Sequence, residues 1–454
     1  MTDAKQPVAI WPDIPQPLMP YSPAVRAADW VFVSGQLASD FRTGIAAEAR
    51  PANPNLASSQ ALQSRFVMET LRRTLASAGA DLATDVARIW QWLPWGRPTM
   101  DEFGSGICYP EGLGISPYLD VRDDYIADPR PASTAVGIRA LPVKDALIEI
   151  DLIAIVDDTV PQGCAAGDGV PAPLAGYSPA LRRGDWIFLA GEVPTDWQGD
   201  YGEFRSMGEP SALAREARTN PHLWYGSDIE AQTDYTLSKL ERHAEAAGGS
   251  LKNVVKAEVY IGDPSDYAGM DRAWKRWFPH NPPARCVIPY MALGTRGSRI
   301  EIALTLLAND ASLTIERIET SDAPEPFSHE PQAVKAGNFL FLSQQMPCDA
   351  RGVLAEGMLR NEHFPWYGLP GKNQMRFMLT NVAAICEAAG TRVENVVRRA
   401  CFHDDGTHFA DSIEEWSSWF PGVKPASTTM KIGGPLVVPG ANALLDLIAY
   451  VPDR

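Results

Sequence analysis

One frame of residues occurs three times along the chain, and that repeat limits the fold more than any bulk property. Its fullest copy runs from Pro283-Ala284-Arg285-Cys286-Val287 to Arg299-Ile300-Glu301-Ile302-Ala303. Before it stand Pro131-Ala132-Ser133-Thr134-Ala135 and Leu147-Ile148-Glu149-Ile150-Asp151; after it stand Pro425-Ala426-Ser427-Thr428-Thr429 and Ala443-Leu444-Leu445-Asp446-Leu447. At 454 residues the chain exceeds one typical core, and three modules of about 150 residues suit that length. The expected modules are 1–158, 172–310 and 326–454, joined by connectors rich in Gly, Pro, Ala and Asp.

Each module opens on a β-rich run: Trp30-Val31-Phe32-Val33-Ser34-Gly35-Gln36, Trp186-Ile187-Phe188-Leu189-Ala190-Gly191-Glu192 and Phe339-Leu340-Phe341-Leu342-Ser343-Gln344-Gln345. A helix follows, ending at Gly79, Gly248 or Gly390. Its apolar positions superpose: Met68, Leu71 and Leu75; Leu237, Leu240 and Ala244; Leu379, Val382 and Cys386. Spacings of three and four place these on one side, and the glycine is a C-terminal stop. Val255, Ala257, Val259 and Ile261 then alternate with Lys256, Glu258 and Tyr260 as a strand. Second helices end at Phe278-Pro279 and Phe420-Pro421, because proline disfavours helix at the residue before it. The pattern is α+β, β-β-α-β-α-β-β per module, with both helices on one sheet face. The other face needs cover, and three modules packed around a pseudo-threefold axis supply it. Arg285 and Glu301 are expected on two neighbouring strands.

A formal net charge of -16 leaves little attraction for phosphate backbones or anionic lipid, so neither nucleic acid nor membrane is an expected partner. The N-terminus lacks a basic cluster followed by an apolar run, and a cytoplasmic location is expected. The six cysteines show no C-x-x-C spacing and suit reduced thiols. His403-Asp404-Asp405-Gly406-Thr407-His408 reads as a solvated turn after a strand rather than a metal site.

These residues resemble the RidA (YjgF/YER057c/UK114) family, three copies in tandem, with the middle copy matching best. The resemblance implies a chorismate-mutase-like fold, a pseudo-trimer within one chain that is monomeric or assembles further, and ligand clefts between modules. It also implies hydrolysis of enamines or imines, a C–N bond reaction needing neither metal nor organic cofactor. In the middle copy, Arg285 would hold the carboxylate of a small-molecule substrate and Glu301 would activate water. Tyr177, Gly191 and backbone near Cys286 would orient the ligand. The first copy keeps Glu149 and Tyr21 but has Ser133 in the arginine position; the third has Ser427, Leu444 and Glu330 where Arg, Glu and Tyr would stand.

Asn220-Pro221-His222-Leu223-Trp224-Tyr225-Gly226, outside a minimal family pattern, puts His222 and Trp224 forward as a cleft wall, or as packing between modules. Two other readings remain open. One is a cyclic-amide ring-opening hydrolase, as in cyanuric acid hydrolase and barbiturase, which needs equivalent serines where Ser34, Ala190 and Ser343 stand. The other is a non-catalytic metabolite-binding protein.

Overall fold

The computed structural model describes residues 6–53, 55–95, 114–173, 175–196, 213–219, 227–295, 297–359, 363, 368–432 and 434–453. The first module contains β1 (Val8–Ile10), β2 (Ala24–Ala27), β3 (Trp30–Leu37), α1 (Ser59–Ser77), β4 (Val86–Pro94), α2 (Ser116–Arg122), β5 (Ala132–Ile138) and β6 (Glu149–Ile155). The second contains β7 (Gln162–Cys164), β8 (Ala180–Arg183), β9 (Trp186–Glu192), α3 (Asp228–Ala246), β10 (Gly249–Ile261), α4 (Tyr267–Trp277), β11 (Ala284–Pro289) and β12 (Ile300–Ala308). The third contains β13 (Ile315–Ile318), β14 (Ala333–Ala336), β15 (Phe339–Leu342), α5 (Pro370–Ala388), β16 (Val396–His403), α6 (Phe409–Ser418), β17 (Ala426–Lys431) and β18 (Ala443–Tyr450).

The three six-stranded sheets share one order, β1-β2-β3-β6-β4-β5 in the first module and its equivalents in the others. Each holds one parallel pair, β4 with β5, β10 with β11 and β16 with β17, and a parallel pair requires a crossover, here the second helix. The short leading strands β1, β7 and β13 are additions to the expected pattern. A second correction concerns the opening frame: β10 lies between β11 and β12, so Arg285 and Glu301 are not on neighbouring strands.

The long helices end as the sequence predicts, with Gly79, Gly248 and Gly390 at φ of 77°, 79° and 80°, a left-handed turn that favours glycine. Their expected apolar faces are buried against the sheets. The alternation in β10 has a different meaning from a half-solvated strand, because both its faces are buried. Lys256, Glu258 and Tyr260 point inward, where the three sheets meet.

That meeting zone is layered. Trp30 packs 4.9 Å from Trp186 and 4.5 Å from Phe339, one equivalent aromatic from each module. Further along, Trp92 packs 6.3 Å from Tyr260 and 5.6 Å from Phe402. Between the aromatic layers lie the register-equivalent cations Arg88, Lys256 and Arg398 with Asp151, Glu258 and Asp446. Arg398 bridges Asp446 at 3.0 Å and Asp151 at 3.1 Å, Lys256 meets Asp446 at 2.5 Å, and Arg88 meets Glu258 at 2.9 Å. Charges this deep persist only when paired, and the set balances three against three. Among the described residues Cys164, Cys286, Cys348, Cys386 and Cys401 are free thiols, and no helix is long and apolar enough to cross a membrane.

Candidate active site

Each seam between modules joins the first long strand of one module to the edge strand of another. Between modules three and one, the Ser427 amide donates to Ser34 Oγ at 2.8 Å and the Gly35 amide donates to Thr428 Oγ1 at 3.1 Å. Between modules two and three, the Arg285 amide donates to Ser343 Oγ at 3.2 Å and the Gln344 amide donates to the Arg285 carbonyl at 2.8 Å. Ser34 and Ser343 are therefore seam-forming hydroxyls, each also donating to a backbone carbonyl, at Ser22 and Pro331. The equivalent place in module two is Ala190, which has no hydroxyl, so the three-serine set is incomplete.

The seams also settle which residues share a cleft. Arg285 faces module three, while Glu301 packs against Gly191 and Thr134 at the seam with module one; a Cβ on Gly191 would overlap the Glu301 carboxyl. The expected pair is thus divided between two clefts. Cys286 lies on the opposite face of β11 from Arg285, in the central core near Lys256 and Asp446.

Between modules two and three the cleft is filled by the protein itself. The Arg285 guanidinium is stacked over Trp274 at 4.9 Å and meets Glu330 at 2.7 Å, Asp271 at 2.7 Å and Ser328 Oγ at 3.0 Å. Burial opposes its charge, yet Glu330, Tyr267 and Asp271 hold the proton more firmly than usual. Gln344, where the other modules have glycine, donates to the second oxygen of Glu330 at 2.8 Å. Leu444 replaces the acid. Arg285 is thus engaged by acids of the protein itself, one from each side of the seam.

The cleft between modules one and two has an acid but no cation in the arginine position. Burial first, and then Glu192, push the Glu301 carboxyl up to about 8. Tyr177 OH lies 3.5 Å from Glu192; burial opposes the Glu192 charge, but Lys239 and His243 hold that carboxyl down at about 2. Ser133 Oγ donates to Gln91 Oε1 at 3.0 Å. His222 and Trp224 lie outside the described residues.

The cleft between modules three and one differs. Arg399, on β16, pairs in register with Ser427 on β17, as Ala257 pairs with Arg285 in module two. Its guanidinium lies over Trp416 at 4.6 Å, the place that Arg285 takes over Trp274, so an arginine from the adjacent strand stands in for the missing one. Nη1 donates to Ser427 Oγ at 2.8 Å and Thr429 Oγ1 at 3.1 Å, whereas Nε and Nη2 are buried without a partner among the described residues. Burial lowers its pKa. Across the seam, Glu149 packs on Gly35 with Oε2 buried and without a partner among the described residues; burial, then Asp151, raises its pKa well above the usual carboxylate range. Tyr21 lies beside it, its hydroxyl pKa raised by burial and by Glu149. His403 is the buried last residue of β16, not part of a solvated turn; burial and then Arg399 hold it near 3, and Nε2 lies 3.4 Å from Cys401 Sγ.

Sequence reasoning passed over Arg399 and placed His403 in a turn instead of on the strand. A signal was present: β16 carries the polar side chains Arg399 and His403 where module two has Ala257 and Ile261.

A triple sheet-and-helix module with strand-seam clefts defines a protein of the RidA type. The family described as Endoribonuclease L-PSP matches residues 169–307 and 320–450, and the chain belongs to it. A RutC family protein (PH0854) of Pyrococcus horikoshii is 34% identical over 118 residues, covering 26% of this chain and 84% of the relative. The 3-aminoacrylate deaminase RutC of Acinetobacter baylyi is 27% identical over 129 residues, 28% of this chain and 85% of its own. The crystal structure of RidA from an Antarctic Psychrobacter is similar at 27% identity, covering 32% of this chain and 98% of that one, with a TM-score of 0.25. Each such match spans about one module.

Proposed function

We propose that the cleft between modules three and one hydrolyses a C–N bond of a small carboxylated enamine or imine. The observation that carries this reading is Arg399, a buried guanidinium whose Nε and Nη2 have no partner among the described residues, in the same seam as Glu149 with its unpartnered Oε2. A buried cation with donors to spare is costly unless a ligand completes it, and a carboxylate accepts from two guanidinium N–H groups at once. The activity is that of a relative, the 3-aminoacrylate deaminase. A net charge of -16 favours a small ligand over RNA, despite the family's name.

The chemistry follows from the charge states. An enamine first becomes its imine, gaining a proton at carbon and losing one from nitrogen; protonated Glu149 then gives its proton to the imine nitrogen as a water oxygen adds to the carbon and the C=N π electrons move to nitrogen. The Glu149 carboxylate then takes the proton of the added water. Glu149, protonated again, gives that proton to the carbinolamine nitrogen and takes the hydroxyl proton in exchange, so the oxygen electrons form C=O as the C–N bond breaks and ammonia leaves. Raising the pKa of an acid toward the working pH is what such a donor requires. Tyr21 orients the substrate from the same side.

Ammonia release from freshly generated imines tests this. Arg399→Met and Glu149→Gln should each lose about 100-fold or more, and Arg285→Met, if folded, should retain turnover. Unchanged release in Arg399→Met would overturn the assignment. Ligand binding without release from any imine would favour the metabolite-binding alternative.

A further inference from the structure

The three groups that saturate Arg285 have counterparts around Arg399, and none of them is an acid. Counted from the seam strands, Glu330 corresponds to Tyr21, Ser328 to Met19 and Asp271 to Ile413. The loss of both carboxylates explains why Arg399 Nε and Nη2 have no partner among the described residues while the same atoms of Arg285 meet Glu330, Asp271 and Ser328. Two of the three replacements are also apolar.

These replacements border a surface notch lined by Leu18, Met19, Pro20, Ile413, Ser417 and Glu414. Leu18 is 78% exposed and Met19 39%. The notch is continuous in sequence with both walls of the cleft: Pro20 precedes Tyr21, and Ile413 and Ser417 flank Trp416 on α6. The other clefts have polar approaches. Gly176, before Tyr177, is held by Arg130 at 2.9 Å and by Arg122, and Ser328 donates to Glu330 at 2.9 Å. An apolar approach to an unsatisfied cation is thus peculiar to one seam among the described residues. Arg399 is 1% exposed, so a ligand reaches it only when side chains between notch and guanidinium turn aside.

We infer that this site takes an amphipathic monocarboxylate, with its carboxylate on Arg399 and an unbranched apolar chain lying over Leu18, Met19 and Ile413. The inference rests on the C–N hydrolase reading only for the site's location, and it concerns binding rather than turnover. A dicarboxylate is disfavoured, because the charged group lining the notch is Glu414, an acid that already engages Lys372 at 3.2 Å. His403, held neutral beside Arg399, adds no second anion anchor.

The test is calorimetric titration of the full chain with pyruvate, 2-oxobutanoate, 2-oxopentanoate, 2-oxohexanoate and 2-oxoglutarate. Affinity should rise up to roughly fourfold per added methylene, the gain expected for burying one CH₂, and 2-oxoglutarate should bind more weakly than 2-oxopentanoate. Met19→Ser should flatten that dependence. Ile413→Asp, by supplying Arg399 with an internal acid as Asp271 supplies Arg285, should abolish binding of the whole series, and Arg399→Lys should weaken it. Equal affinity along the series, tightest binding of the dicarboxylate, or no binding at all would overturn the inference. Ammonia release is read separately: chain-length-dependent binding without release sinks the hydrolase reading alone, and release from imines with no chain-length preference in binding sinks this inference alone.

Discussion

Two arginines in equivalent places over equivalent tryptophans, Arg285 and Arg399, behave oppositely because of what faces them. Removing Arg285 leaves Glu330 and Asp271 near one another without their cation. Arg285→Ala should therefore cost about 3–5 kcal/mol of stability, read by denaturant unfolding, whereas Arg399→Met removes an uncompensated charge and should cost little or stabilise. Glu301 supports a pH prediction. Its folded pKa, raised to about 8 from an ordinary value of 4.5, means that the folded state holds the proton while the unfolded state releases it. That contribution is complete below the unfolded value and is lost as pH rises toward 8, with a limiting slope of about 1.4 kcal/mol per pH unit. Melting temperatures of the wild type and Glu301→Gln, compared from pH 5 to pH 8, should show the wild type losing ground; parallel curves would contradict the raised pKa. Neither contrast was legible in the sequence. The motif around Arg285 is visible, but its saturation depends on Glu330, which stands 45 positions away in the chain.

At the scale of single elements, local rules served well. The glycines closing α1, α3 and α5 and the apolar stripes before them follow from helix geometry alone, and those helices form where the spacing puts them. The strand-ending glycines act differently. Gly35 and Gly191 are needed because a glutamate carboxyl from the neighbouring strand lies where a Cβ would be, and Gln344 occurs in the module whose acid is Leu444. Gly35→Ala should displace Glu149 and cost about 1–3 kcal/mol, with a fall in ammonia release larger than the loss of folded protein. An equal fall in both would leave Glu149 without a catalytic part. Strand order was the element-level error: adjacency in sequence suggested that the last two strands pair, but the helical crossover puts the last strand on the far side of β10.

For the molecule as a whole, the three sheets share one buried axis, so a change there is felt by every module. Trp30 touches Phe32, Trp186, Phe188, Phe339 and Phe341. Trp30→Ala should cost about 3–5 kcal/mol, while Trp11→Ala, at a position 60% exposed, should stay within about 0.5 kcal/mol. Separate transitions for the three modules in the Trp30 variant, rather than one shifted transition, would show that the axis does not couple them. The amino-acid order was enough to specify a tripled α+β module and the need to cover one sheet face, because periodicity and repeats are local properties that survive without coordinates. It also marked which module had lost its arginine, its acid or its tyrosine. Which arginine meets which acid was decided only by packing, since each cleft is built from strands of two modules and ring closure joins the first module to the third. Arg399 and Glu149 belong to the same seam because β17 seats against β3, and no spacing along the chain encodes that seam.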